Sequence, residues 1–224
     1  MIIRPILIAA LAMLSLAADA QPPAAASLEE EVIAEINEAR TNPAAYAGKL
    51  RQYRSHFQEN VVHLPGSDVG LRTREGVAAV DQAIAFLTRQ APVTPLQYSP
   101  DLAEAARALA AHQALVGGTG HTDAEGLDGR ARIKSHKGSG LMAEATAYGA
   151  SDAAAVVRQL VVDDGVPSRP HRKILFEDKY RRAGVACGSH PIARSVCVID
   201  LSTFVGLAPI PKQGPNPPPV VEIR

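Results

Sequence analysis

The chain has 224 residues, 46% apolar and 21% charged, with 23 Lys and Arg balancing 23 Asp and Glu. A neutral chain with 4% aromatics and no Trp offers neither a basic surface for phosphates nor rings to stack bases, which excludes a nucleic-acid reading. Two cysteines without CxxC spacing exclude a disulfide-dense scaffold and a cysteine zinc cluster, so the core must come from apolar packing, for which the length suffices.

Residues 1–20 hold one basic residue, Arg4, an apolar run from Pro5 to Ala18, and Ala18-Asp19-Ala20 ahead of Gln21. That order is a secretory signal peptide with an A-x-A cleavage site, and its uncharged run is shorter than the roughly 18 residues of a membrane span. The expected product is exported, to the periplasm or the medium, and carries no transmembrane span. A Pro/Ala linker occupies 21–26, a folded domain 27–206, and a tail 207–224 whose proline content implies an extended or disordered chain.

Within the domain, Ser27 and Glu30 form a capping box ahead of Val32, Ile33, Ile36 and Ala39, which predicts a helix from Leu28 to Arg40. Asn42-Pro43 ends it, with a turn or two resuming over Ala44 to Leu50. Residues 51–72 lack a sustained period and read as a surface connection; Thr73 then caps a helix with Val77, Val80, Ile84 and Leu87 on one face. Ser99-Pro100 opens an Ala-rich helix that runs to Gly117-Gly118, and another covers Asp152 to Val162. Strands are expected at Ala143–Tyr148, Ala183–Gly188 and Ser195–Val205, the last two as a hairpin about His190-Pro191. Helices with antiparallel strands make the fold class α+β. Cys187 and Cys197 fall on the two arms of that hairpin; a cross-strand disulfide is the favoured reading, two buried thiols the alternative.

Seven histidines supply candidate ligands and bases. His121 follows Gly117-Gly118-Thr119-Gly120, which lets the backbone turn sharply, and His171 follows Pro170 at a helix start. There is no HExxH, so a metal site would have to be assembled from distant segments. Gly138-Ser139-Gly140 lacks the spacing of a nucleophile elbow, and Gly118-Thr119-Gly120 lacks that of a phosphate loop. Asp163, Asp164, Ser168 and His171 bring acid, hydroxyl and base together, a local cluster that is common in loops.

Several segments taken in order resemble the CAP superfamily of cysteine-rich secretory, antigen five and pathogenesis-related proteins, in particular its bacterial secreted branch. They are Glu35 to Pro43 (EINEARTNP), Leu96 to Ala106 (LQYSPDLAEAA), Gly120-His121, Ala143-Glu144, Val162 to Arg172 (VDDGVPSRPHR) and Gly184 to Cys187 (GVAC). The resemblance implies a single-domain α-β-α sandwich with an antiparallel sheet and a cleft of two histidines and two acids. By position these are His121, His171, Glu144 and, as second acid, Asp164, with Asp163 nearly as good a match. The sequence departs from the family where Ala143-Glu144-Ala145 replaces the usual Gly-Glu-Asn and where Pro170 replaces a glycine before the second histidine.

The resemblance also implies that His121 and His171 hold Zn²⁺ in some members. The leading expectation is a cleft that binds a small apolar ligand or an envelope component. One alternative is a metal-dependent hydrolase with Glu144 as the base for a zinc-bound water. Another is a partner-binding module that presents residues 51–72 and the tail.

Overall fold

The computed structural model describes residues 26–138 and 140–203, so the expected signal peptide, all of the linker except Ala26, and the tail lie outside the described residues. Helix α1 spans Leu28–Thr41, with both halves of the Ser27–Glu30 capping box formed. Asn42 closes α1 and accepts from the Ala45 amide with its side chain, so α2 (Pro43–Arg54) is a full helix rather than the resumed turn expected. Pro43 sits in its first turn, where a missing N–H breaks no bond.

The expected surface connection instead folds into a small antiparallel sheet of β1 (Phe57–Gln58), β2 (Val61–Val62) and β3 (Leu71–Arg72). Helix α3 (Val77–Arg89) starts after Gly76 and not at Thr73, because the Thr73 amide and hydroxyl both donate to the Asn60 carbonyl. Strand β4 (Gln97–Tyr98) leads into α4 (Pro100–Val116), which ends at Gly117 in a left-handed conformation (φ 69°). A short helix not foreseen in the sequence, α5 (Gly129–Ser135), follows, its N-cap Asp128 accepting from the Ala131 amide. The remaining elements are β5 (Met142–Tyr148), α6 (Ala153–Val162), α7 (Pro170–Leu175), β6 (Arg182–His190) and β7 (Arg194–Ser202).

The main sheet has the order β4-β6-β7-β5. It is antiparallel as expected across β6, β7 and β5, and at one edge the two-residue β4 adds a parallel pairing with β6. Cys187 pairs with Cys197 across the hairpin, and the two are disulfide-bonded.

Strand alternation sends successive residues to opposite layers. Ala145, Ala147, Ala183, Val185, Ile199 and Leu201 join the principal core with α1, α2, α3, α6 and α7. Ala186, Val196 and Val198 face the other way, against Ala106, Leu109 and Ala110 of α4. Helices thus cover both faces of the sheet. On the α4 side the approach is close: a Cβ on Gly184 would overlap the backbone of Leu102 and Ala103.

The motif on α1 acts through its polar side chains. Asn37 bonds the Leu96 amide (2.7 Å) and carbonyl (2.9 Å), and so holds the segment before β4. Arg40, fully buried, donates to the carbonyls of Thr94, Leu175 and Tyr180, and burial lowers its pKa to about 10. These carbonyls have no strand partner, so one guanidinium satisfies several groups that burial would otherwise leave unpaired.

Candidate functional site

Edge strand β5 carries Glu144 on its α4-facing side. His121 reaches it from the loop after α4, where Gly120 (φ 109°) turns the chain. That turn is held from both sides: the Gly120 amide donates to the Tyr148 hydroxyl and its carbonyl accepts from Gln113. The His121 Nδ1 lies 2.7 Å from Glu144 Oε1; the imidazole is 48% exposed while the carboxylate is 5% exposed. The hydrogen bond that the His121 ring donates to Glu144 is the main cause that raises the His121 pKa.

The other carboxylate oxygen, Oε2, is ion-paired with Arg132 of α5. Arg132 is fully buried and also donates to the carbonyls of Ala105, His121 and Leu127, so it fastens the His121 loop to α4 and β5. Asp123 stands 3.8 Å from the same guanidinium. Gly129 lets α5 lie against this pair: a Cβ there would come 2.9 Å from Glu144 Oε1.

His171 belongs to a second, separate pair. Asp163 ends α6 in a left-handed conformation (φ 57°), which aspartate tolerates better than most residues. That turn swings its carboxylate onto the start of α7, where Oδ1 is 2.7 Å from His171 Nδ1 and Oδ2 accepts from the His171 amide at 3.0 Å. Asp164, the residue chosen from the sequence as the second acid, stands beside this pair but bonds other groups. Its two oxygens accept from the backbone amides of Arg74 (2.7 Å) and Glu75 (2.8 Å), so it clips the segment before α3 to the α6–α7 loop. Arg169 reinforces that clip with two 2.6 Å bonds to Glu75, which hold the Glu75 carboxyl down at about 2.

His121 with Glu144 and His171 with Asp163 therefore form two imidazole–carboxylate pairs, and Asp164 belongs to neither. His121 and Glu144 line a shallow recess of about 270 Å³ together with Asp128, Arg130, Ile133 and Met142. His171 and Asp163 lie in a larger groove of about 550 Å³ between α6 and the small sheet, with Tyr148 of β5 along its floor. Its walls include Val62, Leu71, Leu160 and Val162, and Arg158 and Arg72 supply positive charge.

Each imidazole keeps only Nε2 for a ligand, and the two nitrogens lie in different recesses. Among the described residues no three His, Cys, Asp or Glu side chains gather into a metal-binding group. The donor set falls short of the three protein ligands typical of catalytic zinc.

Reasoning from sequence did not single out Arg132, Arg169 or Asp200. Arg132 and Arg169 carry no local signal, since arginine on a short helix or in a loop is normally solvated. Asp200 had one: a lone carboxylate in the apolar strand segment Val196 to Leu201.

The sequence model of the CAP family (cysteine-rich secretory protein family) matches residues 33–201. Among curated proteins none matches. Two solved structures resemble the chain: an extracellular protein with an SCP domain from Bacillus anthracis (18% identity, TM-score 0.43, 50% of this chain and 35% of that one) and an outer surface protein from Borrelia burgdorferi (19% identity, TM-score 0.41, 49% of this chain and 77% of that one). The chain thus spans about a third of the Bacillus protein's length. With a family match over most of its length, the chain belongs to the CAP (cysteine-rich secretory protein) family.

Proposed function

We propose that this CAP-family protein is exported and binds an apolar, lipid-like component of the cell envelope in the groove beside His171. The observation that carries the reading is the groove itself. At about 550 Å³ it is large enough for an acyl chain, with aliphatic walls at Val62, Leu71, Leu160 and Val162 and a polar boundary at Arg158, Asp163 and His171. Such a surface suits an amphipathic molecule whose chain leaves water while its anionic head meets Arg158. The segment 1–20 and the cystine support export, since a disulfide persists in oxidising compartments. No described helix is long and apolar enough to cross a membrane.

The hydrolytic alternative gains no such support. Glu144, its proposed base, has one oxygen against His121 and the other against Arg132, so its carboxylate is committed to holding the loop. Residues 51–72, the expected partner-binding loop, are spent in part on the groove wall through Val62 and Leu71.

Organic extraction of the purified protein followed by mass spectrometry tests the reading. It predicts a co-purifying acyl lipid and saturable binding of the fluorescent fatty acid cis-parinaric acid, weakened about tenfold or more by Leu71→Glu, which puts a charge on the exposed wall. Absence of both retained lipid and saturable binding would overturn it.

A further inference from the structure

Behind the His121–Glu144 pair lies a carboxyl group that the groove does not use. Asp200 is fully buried on β7, and neither of its side-chain oxygens has a hydrogen-bond donor. It stands directly opposite Glu144 in the β5–β7 register, on the same α4-facing side of the sheet. Two carboxylates cannot donate to each other, and two ionised carboxylates directly across adjacent strands repel. An ionised Asp200 would therefore be an uncompensated buried charge beside another of the same sign, among the least favourable placements in a protein.

We infer that Asp200 and Glu144 form a buried carboxyl–carboxylate pair that shares one proton, a proton-binding site which ties β5 to β7 and holds the His121 wall more tightly in acid than in alkali. Asp200 carries the proton and donates it to Glu144; on ionisation the proton passes to solvent base, and both carboxylates are left charged.

Every group that faces Asp200 bears on this. From β5 the neighbour is Glu144; from α5 it is Arg132, already engaged with Glu144 and three carbonyls. Asp123 adds further negative charge on the far side of Arg132. The buried α4 residues there, Leu102, Ala103, Ala105 and Ala106, do not titrate, and the residue opposite on β6 is Gly184. Arg182 lies two positions along β6 on the same side, and its Nε is buried without a partner. Burial first, then the Glu144 charge, push the Asp200 carboxyl well above the usual carboxylate range, against the opposing pull of Arg132.

The direction of the pH effect follows. A group whose pKa is raised by folding binds its proton more tightly in the folded state, so its contribution to stability is lost as pH rises from the ordinary carboxylate range toward the raised value. Asp200→Asn keeps the shape, donates an N–H in place of the O–H, and cannot ionise.

The test compares melting temperatures of wild type and Asp200→Asn from about pH 5 to about pH 8. The site predicts that the variant gains on the wild type as pH rises, since only the wild type must give up the proton held between the two carboxyls. A difference that stays flat or reverses would mean that Asp200 is ionised, for instance by pairing with Arg182, and would overturn the assignment. Infrared spectroscopy of the wild type gives an independent reading that needs no variant. A protonated carboxylic acid band at neutral pH is expected, and its absence would overturn the shared proton.

Discussion

Two adjacent aspartates at the end of α6 have opposite duties because the backbone turns left-handed at the first of them. Asp163, at φ 57°, aims its carboxylate back at α7 and orients His171; Asp164 continues outward and receives two amides of the segment before α3. Separate losses follow. Asp163→Ala leaves the His171 and Arg172 amides without their side-chain acceptor and is expected to cost about 1–3 kcal/mol, the usual range for buried groups that lose a partner. Asp164→Ala should leave His171 in place and speed hydrogen exchange at the Arg74 and Glu75 amides. Urea unfolding and amide exchange on both variants distinguish these effects; equal exchange at Arg74 and Glu75 in both would contradict the division of roles. The residue types of the site were visible in the sequence, but the choice between neighbouring aspartates was not, because it depends on one φ angle. The partners Arg132 and Arg169 were equally hidden, since the groups that take them out of water come from distant segments: the Ala105 carbonyl for Arg132, the Glu75 and Gln82 side chains for Arg169.

At the scale of elements, local chemistry predicted those helices whose ends carry a cap that can be read in the sequence. Ser27 with Glu30 marks its helix as expected, and the helix expected from Asp152 begins one residue later because Asp152 is its cap. Helix α3 was placed early because Thr73, a good cap by type, spends its hydroxyl across the loop on Asn60. Strand β4 and the small sheet escaped notice because two-residue strands have no period to detect and exist only through their partners. The tightest contact between elements is testable: Gly184→Ala forces a methyl into the backbone of Leu102 and Ala103, so α4 must lift from the sheet. Overpacking of this kind costs about 1–3 kcal/mol or more, and thermal unfolding should show a clear loss. A melting temperature equal to the wild type would contradict the close α4–β6 contact.

For the whole molecule, two recesses of different character lie along β5. On the α4 side, His121, Glu144 and Arg132 form a rigid polar cluster above Asp200, in a recess of about 270 Å³ that is small for an extended ligand. Beyond the edge strand, the groove beside His171 is twice as large and walled by aliphatic side chains. The expected residues are present in the expected order, and each imidazole is tied by a carboxylate of its own, His121 by Glu144 and His171 by Asp163. The most direct test is chemical-shift mapping by NMR during titration with cis-parinaric acid. Binding in the groove predicts that Leu71, Val162 and His171 shift with one saturation curve while His121 and Glu144 stay unmoved; shifts centred on His121, or none that saturate, would contradict it.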